Sequence, residues 1–407
     1  MEDPSSPASL VVILAAAVAA PVVAEATRRL RVPGVLFELV LGVLIGPQVL
    51  GWAEVTPFVA SLSALGLAFL MFFAGYEIDL ARIRGAPLNL AVQAWVASLV
   101  LGFAVAGVLV VDGFAVSDLL VGLALTTTAI GTLLPMLRDR GILPTPLGSY
   151  VLAGGSVGEL GPIVAVTLLL SGDSPAREAA LLVAFVVVAA GAAVLAARPQ
   201  PPRVLEMLRR HLTTSTQLPV RVVVLLLGAM VLLAFELGVD HLLGAFTAGM
   251  LLRLAVRPDQ AERLDPKLEA LGFGFLIPVF FVVSGMRLDV DALADPAAMA
   301  RVPVFLVLFL VVRGLPVLLL YRRHLDARQR SVLALLQATA LPLVVVITAI
   351  GLHTGRMLPE NAAALVGAGM LSVLVYPLAG FARLGGPAAS GAGGEEVVTI
   401  ELGEERP

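Results

Sequence analysis

Apolar runs of about 20 residues follow one another along almost the whole chain, separated by charges, prolines and short polar clusters. An α-helix needs about 20 residues to cross ~30 Å of hydrocarbon, and runs this long do not fit the alternating strands of a membrane barrel. The pattern therefore predicts an all-helical, polytopic chain with about thirteen transmembrane helices. They cover residues 8–26, 33–50, 58–78, 86–111, 117–137, 147–171, 177–198, 216–239, 241–256, 268–286, 302–321, 330–352 and 359–383.

Composition leads to the same class of protein. The chain is 59% hydrophobic and 14% charged, with a mean hydropathy of +0.98, whereas soluble domains are about 45–50% apolar and about 25% charged. Zero cysteines and four scattered histidines argue against a disulfide framework or a transition-metal centre. HExxH does not occur, and we find no second deep acid that could complete a catalytic dyad. We expect no enzymatic activity, no cofactor and no nucleic-acid partner.

Basic residues gather in every second predicted loop, from the arginines at 28–31 to those at 322–330, whereas the intervening loops are acidic or neutral. By the positive-inside rule, the N-terminus is outside and the C-terminus is cytoplasmic, which requires an odd number of helices. Thirteen helices satisfy this condition. We therefore expect a multi-pass protein of the inner (plasma) membrane.

Two halves of the chain resemble each other. "FFAGYEIDL" (72–80) shares a Phe-Phe, a Gly and an Asp with "FFVVSGMRLDV" (280–290), and Gly75 and Gly285 are 285 − 75 = 210 residues apart. A displacement of about seven helices reverses direction in the membrane, which is typical of the inverted repeats of secondary transporters. The alternative is chance similarity between two apolar segments.

A threonine-rich segment in the first half, "TTTAIGTLLP" (126–135), has a looser partner in "QATALPLVVVITAI" (337–350). Hydroxyl side chains and helix breakers together predict discontinuous helices whose ends meet near the bilayer midplane. The alternative is a pair of kinked helices packed by small residues. The residues expected at the breaks are Thr126, Pro135, Thr339 and Pro342.

One carboxylate, Glu159, stands about twelve residues from either end of its predicted helix, which is roughly 18 Å of helix. Because a charge at that depth is costly in lipid, it indicates an ion path, and the alternative is a neutral, hydrogen-bonded structural acid. Four nearby glycines are expected to leave the helix face bare, with room for a helix crossing, water and an ion. They are Gly154, Gly155, Gly158 and Gly161.

Other charges lie within or near the predicted helices. Arg313 is deep, and two roles are open for it: neutralising a carboxylate when no cation is bound, or holding the broken helices by their carbonyl ends. Glu38 is shallower and is a candidate accessory acid, in a structural or vestibule role, while Glu236 is expected at the interface. Three acids at helix ends are expected to cap helices or pair with loop arginines. They are Glu77, Asp79 and Asp289.

Several motifs, in this order and spacing, resemble the bacterial monovalent cation:proton antiporters of the sodium/hydrogen exchanger superfamily, on the branch related to the potassium efflux antiporters. The motifs are "FELVLGVLIGP" (37–47), "FFAGYEIDL", "TTTAIGTLLPMLRDRGIL" (126–143), "GAFTAGMLL" (244–252), "FLIPVFFVVSGMRLD" (275–289) and the late Arg313. The resemblance implies the sodium/proton antiporter fold over residues 1–385, a homodimer, and a core with two crossed, broken helices that slides against a scaffold. The core would be 86–171 and 302–383, the scaffold and dimer helices 8–78 and 216–286, and the cytoplasmic tail 386–407.

The ion site departs from the family pattern. Relatives carry Asp-Asp, Asn-Asp or Gln-Asp where this chain has Gly158-Glu159. By the resemblance, Glu159 takes the place of the essential acid, and its partner is missing. Thr127, Thr128, Ser156 and main-chain carbonyls would complete the oxygen shell of a Na⁺ or K⁺ ion bound at Glu159, and Arg313 would balance charge.

A single transport acid predicts electroneutral 1:1 exchange of Na⁺, or of K⁺, for H⁺, because proton and cation compete for the same oxygens. Such exchange serves pH homeostasis. The alternative function is a sodium-coupled organic solute symporter with a similar inverted-repeat fold. A potassium channel is disfavoured because no Thr-Val-Gly-Tyr-Gly filter is present.

Overall fold

The computed structural model describes residues 5–27, 34–78, 83–111, 118–170, 175–196, 217–288, 290 and 296–384. Within them, nine helices are long and apolar enough to cross a membrane, and four shorter apolar helices bring the total to 9 + 4 = 13. Each of these thirteen coincides with one predicted helix, so the predicted helical class is confirmed. The predicted tail 386–407, Asp79 and Asp289 lie outside the described residues.

The helices are numbered here in chain order. They are α1 (Ser5–Ala26), α2 (Gly34–Ile45), α3 (Pro57–Tyr76), α4 (Ala86–Val111), α5 (Asp118–Leu125), α6 (Ile130–Asp139), α7 (Pro146–Leu170), α8 (Pro175–Ala196), α9 (Leu218–Glu236), α10 (His241–Ala255), α11 (Pro258–Leu271), α12 (Ile277–Met286), α13 (Pro296–Leu320), α14 (Ala327–Gln337), α15 (Pro342–His353) and α16 (Pro359–Leu384). A π-helical turn, Gly272–Leu276, joins α11 to α12, and a 3₁₀ turn, Tyr321–Arg323, follows α13.

Two of the thirteen spans are interrupted. The predicted helix 117–137 is split into α5 and α6 by residues 126–129, and the predicted helix 330–352 is split into α14 and α15 by residues 338–341. Thr126 and Thr339 lie in the breaks, and Pro342 is the first residue of α15, where a missing N–H is tolerated. Pro135 was expected at a break and lies inside α6 instead. The threonines and Ala129, not the proline, therefore occupy the first interruption.

The helices pack in two groups. In one group, α3 packs against α10 and α12, α12 packs against α2, and α1 and α9 lie on its outside. In the other, α4, α7, α13 and α16 surround the two broken helices, α5–α6 and α14–α15, and α13 packs against α4, α14 and α16. Helix α8 contacts both α7 and α10. The division into core and scaffold, and the sliding of one group on the other, stay predictions.

Glycines bring the backbones of the first group into direct contact. A Cβ on Gly75 would overlap the carbonyl of Phe246 in α10, and a Cβ on Gly249 of α10 would overlap the carbonyl of Phe72. Gly285 and Gly42 face Leu39 and Val282 in the same reciprocal way across α12 and α2. Small residues allow this close approach of membrane helices. The repeat glycines Gly75 and Gly285 thus have equivalent packing roles in the two halves.

Candidate functional site

The two breaks are hydrogen-bonded to each other. The hydroxyl of Thr128 donates to the carbonyl of Gln337 at 2.6 Å, and the N–H of Ala129 donates to the carbonyl of Thr339 at 2.8 Å. On the far side, the N–H of Ala340 donates to the Ser372 hydroxyl of α16 at 2.9 Å. The carbonyl ends of α5 and α14 and the N–H ends of α6 and α15 therefore converge. Opposite partial charges of the helix termini meet at this crossing.

Threonine hydroxyls satisfy carbonyls that the helix ends leave free. Thr126 donates to Leu123 and Thr127 donates to Ala124, both at 2.8 Å. The last carbonyls of a helix lack intrahelical partners, so these bonds stabilise the end of α5. The hydroxyls of Thr127 and Thr128 therefore already donate their protons to main-chain carbonyls of the protein. Their oxygens would have to bind a cation through the remaining lone pairs.

Arg313 holds the crossing together from α13. Its Nε donates to the Thr128 hydroxyl at 2.9 Å, and its Nη2 donates to the Gly154 carbonyl at 3.2 Å and to Gln337 Oε1 at 2.7 Å. A weaker contact of 3.4 Å joins Nη1 to the Ser98 hydroxyl. The guanidinium thus links α4, α7, the first break and α14, and both roles open from the sequence stay predictions.

The partners of Arg313 are neutral. The residue is 2% exposed, and the part of the chain that the structure describes shows no ion pair between its guanidinium and the Glu159 carboxylate. The carbonyl ends of α5 and α14 supply negative partial charge to the guanidinium. Charge balancing of Glu159 by Arg313 in another state of the protein stays a prediction.

The glycine face of α7 is filled, not open. An ideal Cβ on Gly158 would lie 2.5 Å from Arg313 Nη2 and 2.7 Å from Thr128 Oγ1, and one on Gly154 would overlap the Gln337 amide. Gly155 receives Ile130 and Gly161 receives the Trp95 ring in the same manner. The expectation of a bare face with room for water and an ion is therefore wrong. The sequence of α7 alone does not show that four distant side chains pack into its grooves.

Glu159 is buried on the same helix, with 1% of its surface exposed. Its Oε2 has no hydrogen-bond partner among the described residues. Ser156, an expected ligand three residues earlier, donates its hydroxyl to the Leu152 carbonyl at 2.7 Å. Gly158, also an expected site residue, accepts the Thr128 N–H on its carbonyl at 3.0 Å. The structure thus places Thr128 against the stretch of α7 that carries Ser156, Gly158 and Glu159, and leaves one carboxylate oxygen of Glu159 unpaired among the described residues.

A second acid approaches Glu159, which the sequence did not indicate. The carboxylate of Glu77, at the end of α3, is within electrostatic range of the Glu159 carboxylate. Because Glu77 is half-buried at the end of α3, the expectation of no second deep acid near Glu159 stays a prediction. Glu77 follows the last residue of α3 and looks like a loop residue in the sequence, and only the tertiary packing encloses it. Its position beside "FFAGY", a buried run, was the one signal available.

Two cavities lie between the helix groups. One of about 270 Å³ has Glu38 of α2 on one wall and Thr132 and Met136 of α6 on the other. The other, of about 680 Å³, is lined by residues that include Arg287 and His353. Glu159 lines neither of these two cavities. Glu38 thus lines a cavity that also reaches Thr132, close to the first break, and its structural or vestibule role stays a prediction.

Residues 13–382 match the family described as "Sodium/hydrogen exchanger, transmembrane". The chain is 27% identical over 392 residues to the "Putative Na(+)/H(+) antiporter YjbQ" of Bacillus subtilis, an alignment that covers 92% of this chain and 62% of that protein. It is also 27% identical over 279 residues to the "Na(+)/H(+)-K(+) antiporter GerN" of Bacillus cereus, covering 66% of this chain and 68% of the relative. This chain thus spans under two thirds of the length of the Bacillus subtilis protein.

The fold is similar to that of a solved structure, the sodium proton antiporter MjNhaP1 from Methanocaldococcus jannaschii. The TM-score is 0.66 at 19% sequence identity, and the superposition covers 93% of this chain and 98% of the other. At that identity the likeness concerns the fold alone. These comparisons give no support to the alternative of a solute symporter.

Proposed function

Because the chain belongs to the sodium/hydrogen exchanger family, we propose that it is a secondary transporter that exchanges a monovalent cation for H⁺ across the membrane. Na⁺ is the favoured cation and K⁺ the second candidate. The observation that carries the proposal is the buried Glu159 carboxylate, whose Oε2 is unpaired beside the crossing of two broken helices. A buried acid of this kind in a membrane helix marks an ion path.

Exchange follows from competition at one carboxylate. A proton and a dehydrated cation require the same oxygens of Glu159, so binding of one releases the other. Glu159 is neutral when either is bound, whereas a bare carboxylate resists transfer through a low-dielectric region. The core therefore reorients only when occupied, and occupancy by alternating ions is antiport. Thr127, Thr128, Ser156 and main-chain carbonyls are the proposed additional ligands.

We propose a 1:1, electroneutral stoichiometry. Glu159 carries one proton or one cation per cycle, and Arg313 adds no second proton because a guanidinium does not deprotonate in proteins. The neutral hydrogen-bond partners of Arg313 support a constant charge at that position. We also propose a homodimer in the inner membrane, with the N-terminus outside and the C-terminus cytoplasmic, on the distribution of loop arginines.

Proteoliposomes with an internal pH dye test the proposal. Glu159→Gln should abolish cation-driven proton movement, and Glu236→Gln, an exposed acid at the end of α9, is the matched control that should keep it. Exchange that persists in Glu159→Gln would overturn the assignment. Transport current on a solid-supported membrane tests the stoichiometry, since an electroneutral cycle produces none.

A further inference from the structure

Glu77 is half-buried, and the exchange mechanism does not use its carboxylate. It follows α3, and its N–H donates to the Phe73 carbonyl at 3.0 Å, so the backbone of Glu77 terminates the helix. Its side-chain Oε2 is enclosed without a hydrogen-bond partner in the described part of the chain, and the neighbouring loop arginine, Arg82, lies outside the described residues. A buried polar atom without a partner requires an explanation, such as a catalytic role or a bound ion or water.

The surroundings of Glu77 connect the two helix groups. Arg138 at the end of α6 pairs with Glu269 of α11 at 3.6 Å, and both side chains are exposed. The Glu77 carboxylate is within electrostatic range of both members of this pair. It is also within range of Glu159. Glu77 therefore lies between the protein surface and the acid of the exchange site.

A proton fits this location better than a cation does. A dehydrated monovalent cation needs several oxygen ligands to replace its water shell. The nearest hydroxyl in sequence, that of Tyr76, already donates to Asp265 Oδ1 at 2.6 Å. A proton needs only one acceptor oxygen, and the free Oε2 of Glu77 supplies it. The arrangement therefore favours a group that carries protons.

We propose, on the basis of the exchange function above, that Glu77 is a proton-relay acid between Glu159 and the solution at the end of α3 and α6. When Glu159 takes up a cation, its O–H bond breaks and the proton passes, through a bridging water, to a carboxylate oxygen of Glu77. Glu77 then releases a proton to the solution beside Arg138 and Glu269. In the reverse direction each O–H bond forms and breaks in the opposite order, and no other bond changes.

Two transport modes depend differently on the relay. Loss of Glu77 should affect only one of them, whereas loss of Glu159 should affect both. Sodium–sodium exchange, followed with radioactive sodium in proteoliposomes, requires no proton transfer. Sodium–proton exchange requires it in every cycle. Glu77→Gln should therefore slow sodium–proton exchange by at least about tenfold, in the range of lost proton-transfer catalysis, and leave sodium–sodium exchange within about twofold of the parent.

Three further measurements make the test specific. A small permeant acid such as formic acid should partly restore sodium–proton exchange in Glu77→Gln, and Glu77→Asp should keep more of it than Glu77→Gln does. Glu236→Gln should leave both modes unchanged. Equal loss of both modes, or no loss, in Glu77→Gln would overturn the relay. Loss of both modes in Glu159→Gln tests the exchange function separately, so failure of one proposal is distinguishable from failure of the other.

Discussion

The Arg313 guanidinium occupies the space in which a side chain at Gly158 would begin, with Nη2 2.5 Å from an ideal Cβ on that glycine. The family resemblance seen in the sequence implies a polar side chain at the position of Gly158. Here an arginine from α13 fills that space from the opposite side of the helix crossing. In place of a polar partner for Glu159, a fixed charge on another helix fills this space, which supports a single ion-carrying acid per cycle.

Gly158→Ala should destabilise the protein, because the new methyl group would displace the guanidinium and the Thr128 hydroxyl. Overpacking of this kind typically costs about 1–3 kcal/mol, measurable as a lower midpoint of thermal unfolding in detergent. Gly228→Ala in α9 is the control, since nothing lies within 4 Å of its ideal Cβ. Equal stability of the two variants would contradict the packing described here.

Gln337→Leu should weaken the hydrogen bonding of the Arg313 guanidinium and destabilise the protein. The substitution removes the oxygen that accepts from Nη2 at 2.7 Å and leaves a buried charged donor with one partner fewer. A lost bond to a buried charged group costs about 1.5–3 kcal/mol. The free energy of unfolding should fall by that amount. Gln337→Glu, which keeps an acceptor for the guanidinium, should lose less than Gln337→Leu, and the opposite order would be inconsistent with this contact.

Thr128→Val keeps the shape of the side chain and removes a hydroxyl that accepts from Arg313 and donates to Gln337. We expect a loss of about 1–3 kcal/mol in unfolding free energy and a matching fall in exchange rate. Thr348→Val is the matched control, because that hydroxyl donates only within its own turn, to Val345 at 3.0 Å. The control should change stability by no more than about 0.5 kcal/mol.

Glu38→Gln should change how the cation reaches the site more than the exchange itself. Glu38 lines the 270 Å³ cavity opposite Thr132, and a carboxylate in a cleft raises the local cation concentration. We expect the KM for the cation to rise roughly threefold to tenfold at low ionic strength, with little change in the maximal rate. Complete loss of exchange in Glu38→Gln would instead make Glu38 a second transport acid.

The helices and their interruptions could be predicted from the sequence, because long apolar runs cross a bilayer as α-helices, whose backbone groups are hydrogen-bonded within the segment. Thr126 and Thr339 marked the breaks, since hydroxyls satisfy carbonyls that a helix end leaves free. The filling of the α7 grooves could not be predicted. Gln337 and Arg313 come from helices more than 150 residues away in the chain, and nothing local in "AGGSVGELGP" specifies which side chains its glycines receive.

The location of Glu77 in the fold also could not be predicted from the sequence. A glutamate directly after a hydrophobic helix looks solvent-exposed, and its burial depends on where α6 and α11 pack relative to the end of α3. Glu159 could be identified because depth inside a single helix is a local property. Enclosure by several helices is a property of the tertiary fold.

The glycines at the two helix crossings bear on the proposed transport cycle, because Gly75 and Gly249 face the carbonyls of Phe246 and Phe72. Gly42 and Gly285 face the carbonyls of Val282 and Leu39 in the same way. Where backbone rests directly on backbone, no side-chain rotamers are available to reorganise, so these two crossings cannot ratchet or expand without breaking contact along their length. The helices α2, α3, α10 and α12 are therefore suited to be the stator of the transport cycle. Any deformation of the protein during the cycle must then be concentrated in the helices that connect the two groups. The main one is α8, which contacts both groups.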